Sequence, residues 1–410
     1  MATFEFFNPQ TDKRTQSDVL EQLIDVIGND VSSSVTRRKY QVWITGSGTG
    51  PGVTSSIFQT VFDQDYSLQT ANPVFDITVG LHTSSVLVSQ TTTSYDSTND
   101  QYYFPSSSMM MREKIDVYRT FSQQLLGDDR AAFTFISGSL TGTAMKEAMF
   151  FSYKRLFTRD GLGRETYALR MFNSASSATS LSDLSSSGVG EKIYTDLGST
   201  TNINTNYPGG SVGTLVDTST TAAVGLIWHD QGIIVLDVSR VFNVTQSITG
   251  TIESINTLTQ PFTGSLLSSS VGGFNALFYS ASVDNIVDHL CSTRFTGSDA
   301  TVMAFKNQTN INSSVYFCKF NADRFNYSSN PTYTDTSGRI VVIDPGKEDV
   351  QRSFTFITAI GLYDADNNLL AVAKTSRPIL KNYQREYTVK VRLDYLRKKK
   401  IHVSSAKSSK

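Results

Sequence analysis

The sequence predicts an α+β fold dominated by β-strands: antiparallel sheets, a few packed helices and a β-sandwich-like C-terminal domain. Three observations carry that expectation. Tyr387, Val389, Val391, Leu393 and Tyr395 alternate with Thr388, Lys390, Arg392 and Asp394, the period of two of a strand with one buried and one wet face. Two runs apolar on both faces, Ala222–Trp228 and Ile233–Val238, flank the polar turn His229-Asp230-Gln231-Gly232 and read as a hairpin. Ser and Thr make up 100 of the 410 residues and gather at 84–98, 174–187, 199–221 and 249–270, which suits strands joined by long β-connections rather than alternating βαβ units.

Taken in order, Ser17 followed by Val19, Leu20, Leu23, Ile24 and Ile27 fits an N-capped amphipathic helix ending at Gly28. Strands are expected at Tyr40–Thr45, within Pro73–Val88 and at Ala132–Ile136, with a helix at Met111–Leu126 closed by Gly127. Met145, Met149, Tyr153 and Leu156 lie three and four apart and predict a helix over Gly142–Phe157, before a turn and a strand at Thr166–Phe172. Further strands are expected at Ala300–Phe305, Val315–Phe320, Ile340–Ile343, Ser353–Tyr363, Leu369–Lys374 and Tyr387–Leu396, with a tight turn at Asp364–Asn368. Phe354, Phe356, Ile360, Leu362, Val389, Val391 and Leu393 should share one C-terminal core, with Pro378 interrupting its runs. The reading divides the chain into a mixed α/β domain (1–140), a helix plus Ser/Thr-rich β domain (141–273), an antiparallel β domain (274–396) and a flexible basic tail (397–410). It shows no repeat of fixed period, which argues against a solenoid or propeller.

An apolar share of 39%, with 25 Phe and 18 Tyr, is enough to fill real cores. The net charge of −1 conceals six basic residues among the last fourteen; the preceding 396 carry 30 basic and 37 acidic side chains, or −7. That body argues against a nucleic-acid surface, which needs a concentrated basic face, and the tail reads as a solvated arm or one docking on an acidic partner. Two cysteines, Cys291 and Cys318, make no disulfide framework. Without a basic-then-apolar leader or a run of roughly 20 apolar residues, a product of a reducing cytosol that enters no membrane is expected.

Candidate chemistry is sparse. Gly46-Ser47-Gly48-Thr49-Gly50-Pro51-Gly52 lacks the Lys and Ser/Thr opening a helix that a phosphate loop needs, and reads as a surface loop. His289 and Cys291 have no second ligand pair, and His229 beside Asp230 has no placed nucleophile. The pairs Asp63/Asp65, Asp128/Asp129 and Asp364/Asp366 sit in polar turns. No cofactor, metal, small-molecule substrate or enzymatic activity is expected. Two sets suit contacts with a neighbouring chain: Trp228, Ile233 and Ile234 on the apolar hairpin, and Arg155, Arg159 and Arg164, with Asp160 and Glu165, around the turn before Thr166.

Three segments, Gly225–Leu236 (GLIWHDQGIIVL), Phe356–Lys374 (FITAIGLYDADNNLLAVAK) and Ser376–Tyr395 (SRPILKNYQREYTVKVRLDY), resemble virion structural proteins of tailed bacteriophages, especially T4-like contractile phages of marine bacteria. The resemblance implies a tail or baseplate component of the wedge type, assembled in the host cytoplasm with copies of itself and other tail proteins. A receptor-binding tail fibre or adhesin, and a neck, sheath or capsid component, are the alternatives. These motifs are structural, so no catalytic residues carry over with them.

Overall fold

Strands that are apolar on both sides need cover on both faces of their sheet, and the fold supplies it. The computed structural model describes residues 5–8, 10–40, 42–46, 50–54, 56–89, 94–96, 101–105, 109–172, 191–242, 245–247, 263–265, 282–295, 300–328 and 330–396. The basic tail, the 174–187 zone, most of 249–270 and the tip of the Gly-rich loop lie outside these residues. The chain forms two compact units, Glu21–Thr309 and a second made of Met1–Leu20 with Asn310–Lys410. Neither residue 140 nor residue 273 separates them: residues 75–81 pair with 147–153, and Ala168 and Leu169 pair with Ala304 and Met303.

The larger unit is built on one curled antiparallel sheet. Its strands are β1 (Lys13–Ile27), β2 (Arg37–Lys39), β3 (Gln59–Phe62), β4 (Pro73–Leu81), β5 (Glu147–Tyr153), β6 (Ala168–Phe172), β7 (Glu191–Thr195), β8 (Gly210–Asp217), β9 (Ala223–Trp228), β10 (Ile233–Asp237) and β11 (Thr301–Phe320). Their order across the sheet is β1-β11-β6-β7-β8-β9-β10-β5-β4-β3-β2, and both β1 and β11 run on past the unit boundary. The expected hairpin is β9–β10, with Trp228 paired to Ile233 and Gly225 to Leu236. Gly232 closes its turn at φ 66°, a conformation that costs glycine little.

Alternation along these central strands feeds two cores. Ala148, Phe150, Leu226, Trp228, Ile233 and Val235 join one, while Met149, Phe151, Ile227, Ile234 and Leu236 join the other. Helix α1 (Met109–Leu125) adds Val117, Tyr118 and Leu125 to the first, and helix α2 (Val283–Arg294) adds Val283, Ile286, Val287, Leu290 and Cys291 to the second. Each of these fully buried large side chains contributes about 1.5–3 kcal/mol over its exposed state. α1 lies so close to β4 that a Cβ on Gly80 would stand 3.0 Å from the Tyr118 backbone nitrogen. α2 is capped by Ser282, whose Oγ accepts from the Asn285 N–H at 3.2 Å.

Two expected helices are strands. Residues 17–27 belong to β1, and 147–153 form β5, followed only by a single helical turn at Arg155–Thr158. The physical reason lies in the spacing. Positions four apart, such as Val19, Leu23 and Ile27 or Met145, Met149 and Tyr153, share a face in a strand as they do in a helix. Ala300–Phe305 and Val315–Phe320 are in turn two parts of one strand, β11, together with residue 300 just before it.

The smaller unit pairs the far half of β11 with β14 (Tyr387–Leu396), Phe320 opposite Tyr387 and Ile311 opposite Leu396. A two-stranded ribbon, β12 (Thr355–Tyr363) with β13 (Leu369–Lys381), turns through Asp364–Asn368 and sets Ile360 and Leu362 in a core with Cys318, Phe320 and Val391. Val389 and Leu393 pack against it, so five of the seven residues expected in one C-terminal core meet there, and Phe354 is not among them. Phe356 does not join: it is 54% exposed. The register jumps from Ile357–Ile379 to Ala359–Lys374, and this bulge exchanges the faces of β12 on either side of it. Pro378 sits in the same bulge, inside β13, so it does not end the strand. Ile340–Ile343 is not a strand; Ile340 makes one bridge to Thr334, hemmed in by turns at Gly338 and Gly346. Among the described residues no helix is long and apolar enough to cross a membrane.

Candidate interaction surface

The hairpin residues expected at an interface are in the chain's own core. Trp228 and Ile234 are fully buried and Ile233 is 2% exposed, with Phe133 edge-on to Trp228 at 5.5 Å. Two apolar faces met two layers of the same unit, which leaves this ribbon nothing to offer a neighbour.

Arg155, Arg159 and Arg164 are all exposed, on the segment that joins β5 to β6. That segment is held firmly. Asp160 and Gly163 donate backbone N–H groups to the carbonyls of Gln308 (2.9 Å) and Lys306 (2.7 Å), and Leu162 donates to that of His229 (2.8 Å). Beneath it, buried Asp196 accepts from the N–H groups of Glu165 (2.8 Å) and Tyr167 (3.0 Å) and from Ser199 Oγ (3.0 Å), with His229 Nε2 2.9 Å away. Ser199 bonds the aspartate rather than the histidine, and all three side chains are almost completely buried, so this is a polar bolt and not a nucleophilic relay. Arg159 and Glu165 both sit at φ 57° without being glycine, a strain the surrounding bonds must hold. Arg155 reaches Asp160 only at 4.0 Å, and among the described residues no ion pair engages Arg159 or Arg164. The loop therefore presents guanidinium groups from a fixed backbone, a geometry suited to carboxylates.

The other candidates resolve as structure. His289 and Cys291 lie in α2 and are buried. Burial, with the charge of Arg294, drives His289 well below the ordinary histidine range, and burial pushes the Cys291 thiol up to about 11. Among the described residues no group of three His, Cys, Asp or Glu side chains is placed to hold a metal ion. After the Gly-rich loop the chain continues as the strand Gly50–Thr54, paired back on Val42–Gly46, and not as a helix. Asp63 accepts from Asn72, Asp128 from the Arg130 N–H, and Asp364 from the N–H groups of Asp366 and Asn368, which is turn chemistry in each case.

One surface had not been expected. On the ribbon Phe356, Tyr363, Leu369, Leu370 and Val372 are between 44% and 66% exposed. Tyr363 pairs with Leu369 and Gly361 with Val372, and a Cβ on Gly361 would stand 2.8 Å from the Tyr363 ring. The signal was available in the sequence: Leu369-Leu370 follows, across the turn Asp364–Asn368, a run, TFITAIGLY, without a single charge. Comparisons of the chain with protein-family models, curated proteins and solved structures find no match.

Proposed function

We propose that the chain is a structural component of a bacteriophage virion, a wedge-type tail baseplate protein that works by assembling with copies of itself and with other tail proteins. The observation that carries this reading is the uncovered apolar surface of the C-terminal ribbon, since exposed apolar side chains gathered on one element mark interaction sites in soluble proteins. The rigid arginine loop supports it, and so does the resemblance of the hairpin and ribbon segments to tail proteins. Its mechanism is mechanical: interfaces with alternative packings a few kcal/mol apart hold one assembled state until attachment favours another.

The test is to purify particles and locate the chain. Mass spectrometry should find it in stoichiometric amount, and electron microscopy should place it in the baseplate. Its absence from particles would sink the reading, as would turnover of a bacterial surface glycan by the purified chain that is lost on changing one carboxylate.

A further inference from the structure

Strand β12 stands at one edge of a two-stranded ribbon, and three of the four strands around the small core differ in how their edges are defended. β13 carries Lys374, Arg377 and Pro378 and is bulged, and β14 carries Lys390, Arg392 and Asp394. Charge, proline and bulges are the devices that keep an edge from pairing with another chain. β12, Thr355–Tyr363, contains no charged residue and no proline in nine residues. It pairs with β13 alone among the described strands, and Phe356, Thr358, Ala359 and Gly361 are exposed.

The flanks of β12 are charged with opposite sign. Arg352 lies seven residues before Ala359 and Asp366 seven residues after it, both exposed. Arg352 stacks on the Tyr383 ring at 5.4 Å, and among the described residues it makes no ion pair and the Asp366 carboxylate accepts no hydrogen bond. An antiparallel edge pairing centred on Ala359 is its own two-fold mate: it brings the Arg352 end of each copy to the Asp366 end of the other.

We infer that β12 is a self-association edge, through which a second copy of this chain adds its own β12 antiparallel and joins two ribbons into one four-stranded sheet. The two Arg352–Asp366 pairs set the register, and the apolar ribbon faces become continuous across the junction. The inference names a partner for the assembly reading and rests on it.

The experiment is sedimentation of the full chain over a range of concentrations. The unmodified chain should dimerise reversibly below about 100 µM. Ala359→Lys places two ammonium groups against each other at the axis and should weaken dimerisation by about tenfold or more while leaving the melting temperature of the monomer unchanged. Arg352→Asp and Asp366→Arg should each weaken it severalfold, and the double exchange should restore it to within about twofold, as a charge pair swapped end for end does. A chain monomeric at about 100 µM, a dimer indifferent to Ala359→Lys, or a double exchange no better than the single changes would each overturn the proposal. The assembly reading is decided separately, by whether the chain is present in purified particles.

Discussion

Lys114 lies on α1 with its side chain fully buried, and burial brings its ammonium down to about 7. The unfolded chain holds that proton to roughly pH 10.4. Below pH 7 both states are protonated and the cost of burying the charge is present in full. Between about 7 and 10 only the unfolded state keeps the proton, so this group's contribution makes stability rise with pH. Lys114→Met should therefore be more stable than the parent at pH 6, and the two should converge by pH 10, with a difference on the order of a few kcal/mol. Thermal melts of both proteins across that range check it; parallel curves would refute the assignment. At this scale the sequence is a poor guide. Asp196 gathers Glu165, Tyr167, Ser199 and His229 from as far as 33 residues away. No local spacing encodes such a hub, and the carboxylates legible in advance were those, like Asp364 and Asp63, whose partners are two to nine residues off.

Elements were legible where one periodicity excluded the other. The β9–β10 hairpin combines β-branched residues with a glycine-closed polar turn, and it formed with the expected turn at the centre of the sheet. Its amides at Leu226, Ile227, Ile234 and Val235 should exchange with solvent only through global unfolding, and exchange within minutes at neutral pH would contradict that. Spacings of four misled because four is both an even number and close to a helical turn, so tertiary pairing alone chose strand for β1 and β5. α2 was legible but unread: Val283, Ile286, Val287, Leu290 and Cys291 follow the helical period behind the Ser282 cap. In the smaller unit the alternation of β14 was right, and Val391 is 7% exposed in a core of few residues. Val391→Asp should cost about 3–5 kcal/mol and expose Ile360 and Leu362, because so small a cluster has no way to solvate a carboxylate. Unchanged melting of that variant would remove Val391 from the core. What could not be read was the bulge opposite Thr358, since a change of face depends on the partner strand and not on β12 itself.

At the scale of the whole molecule, the smaller unit is assembled from two distant pieces of chain. Asp12 pairs with Lys319, Glu5 with Arg324 and Asp18 with Arg392. Phe7 packs on Tyr316, and the Asp12 carbonyl accepts from the Phe317 N–H. Residues 21–309 lie between these pieces and form a unit of their own. A ribosome delivers the chain in one direction, at roughly 5–20 residues per second. The first twenty residues must then wait for residue 310 and beyond, on the order of 15–60 s at that rate, while the strands of the larger unit emerge one after another, its share of β11 last. Through that interval the early half of β1 is an unpaired strand bearing Val19 and Leu20, tethered to a sheet that still lacks β11, and vulnerable to the first matching edge it meets. Translation speed thus sets how long that strand waits for its native partner.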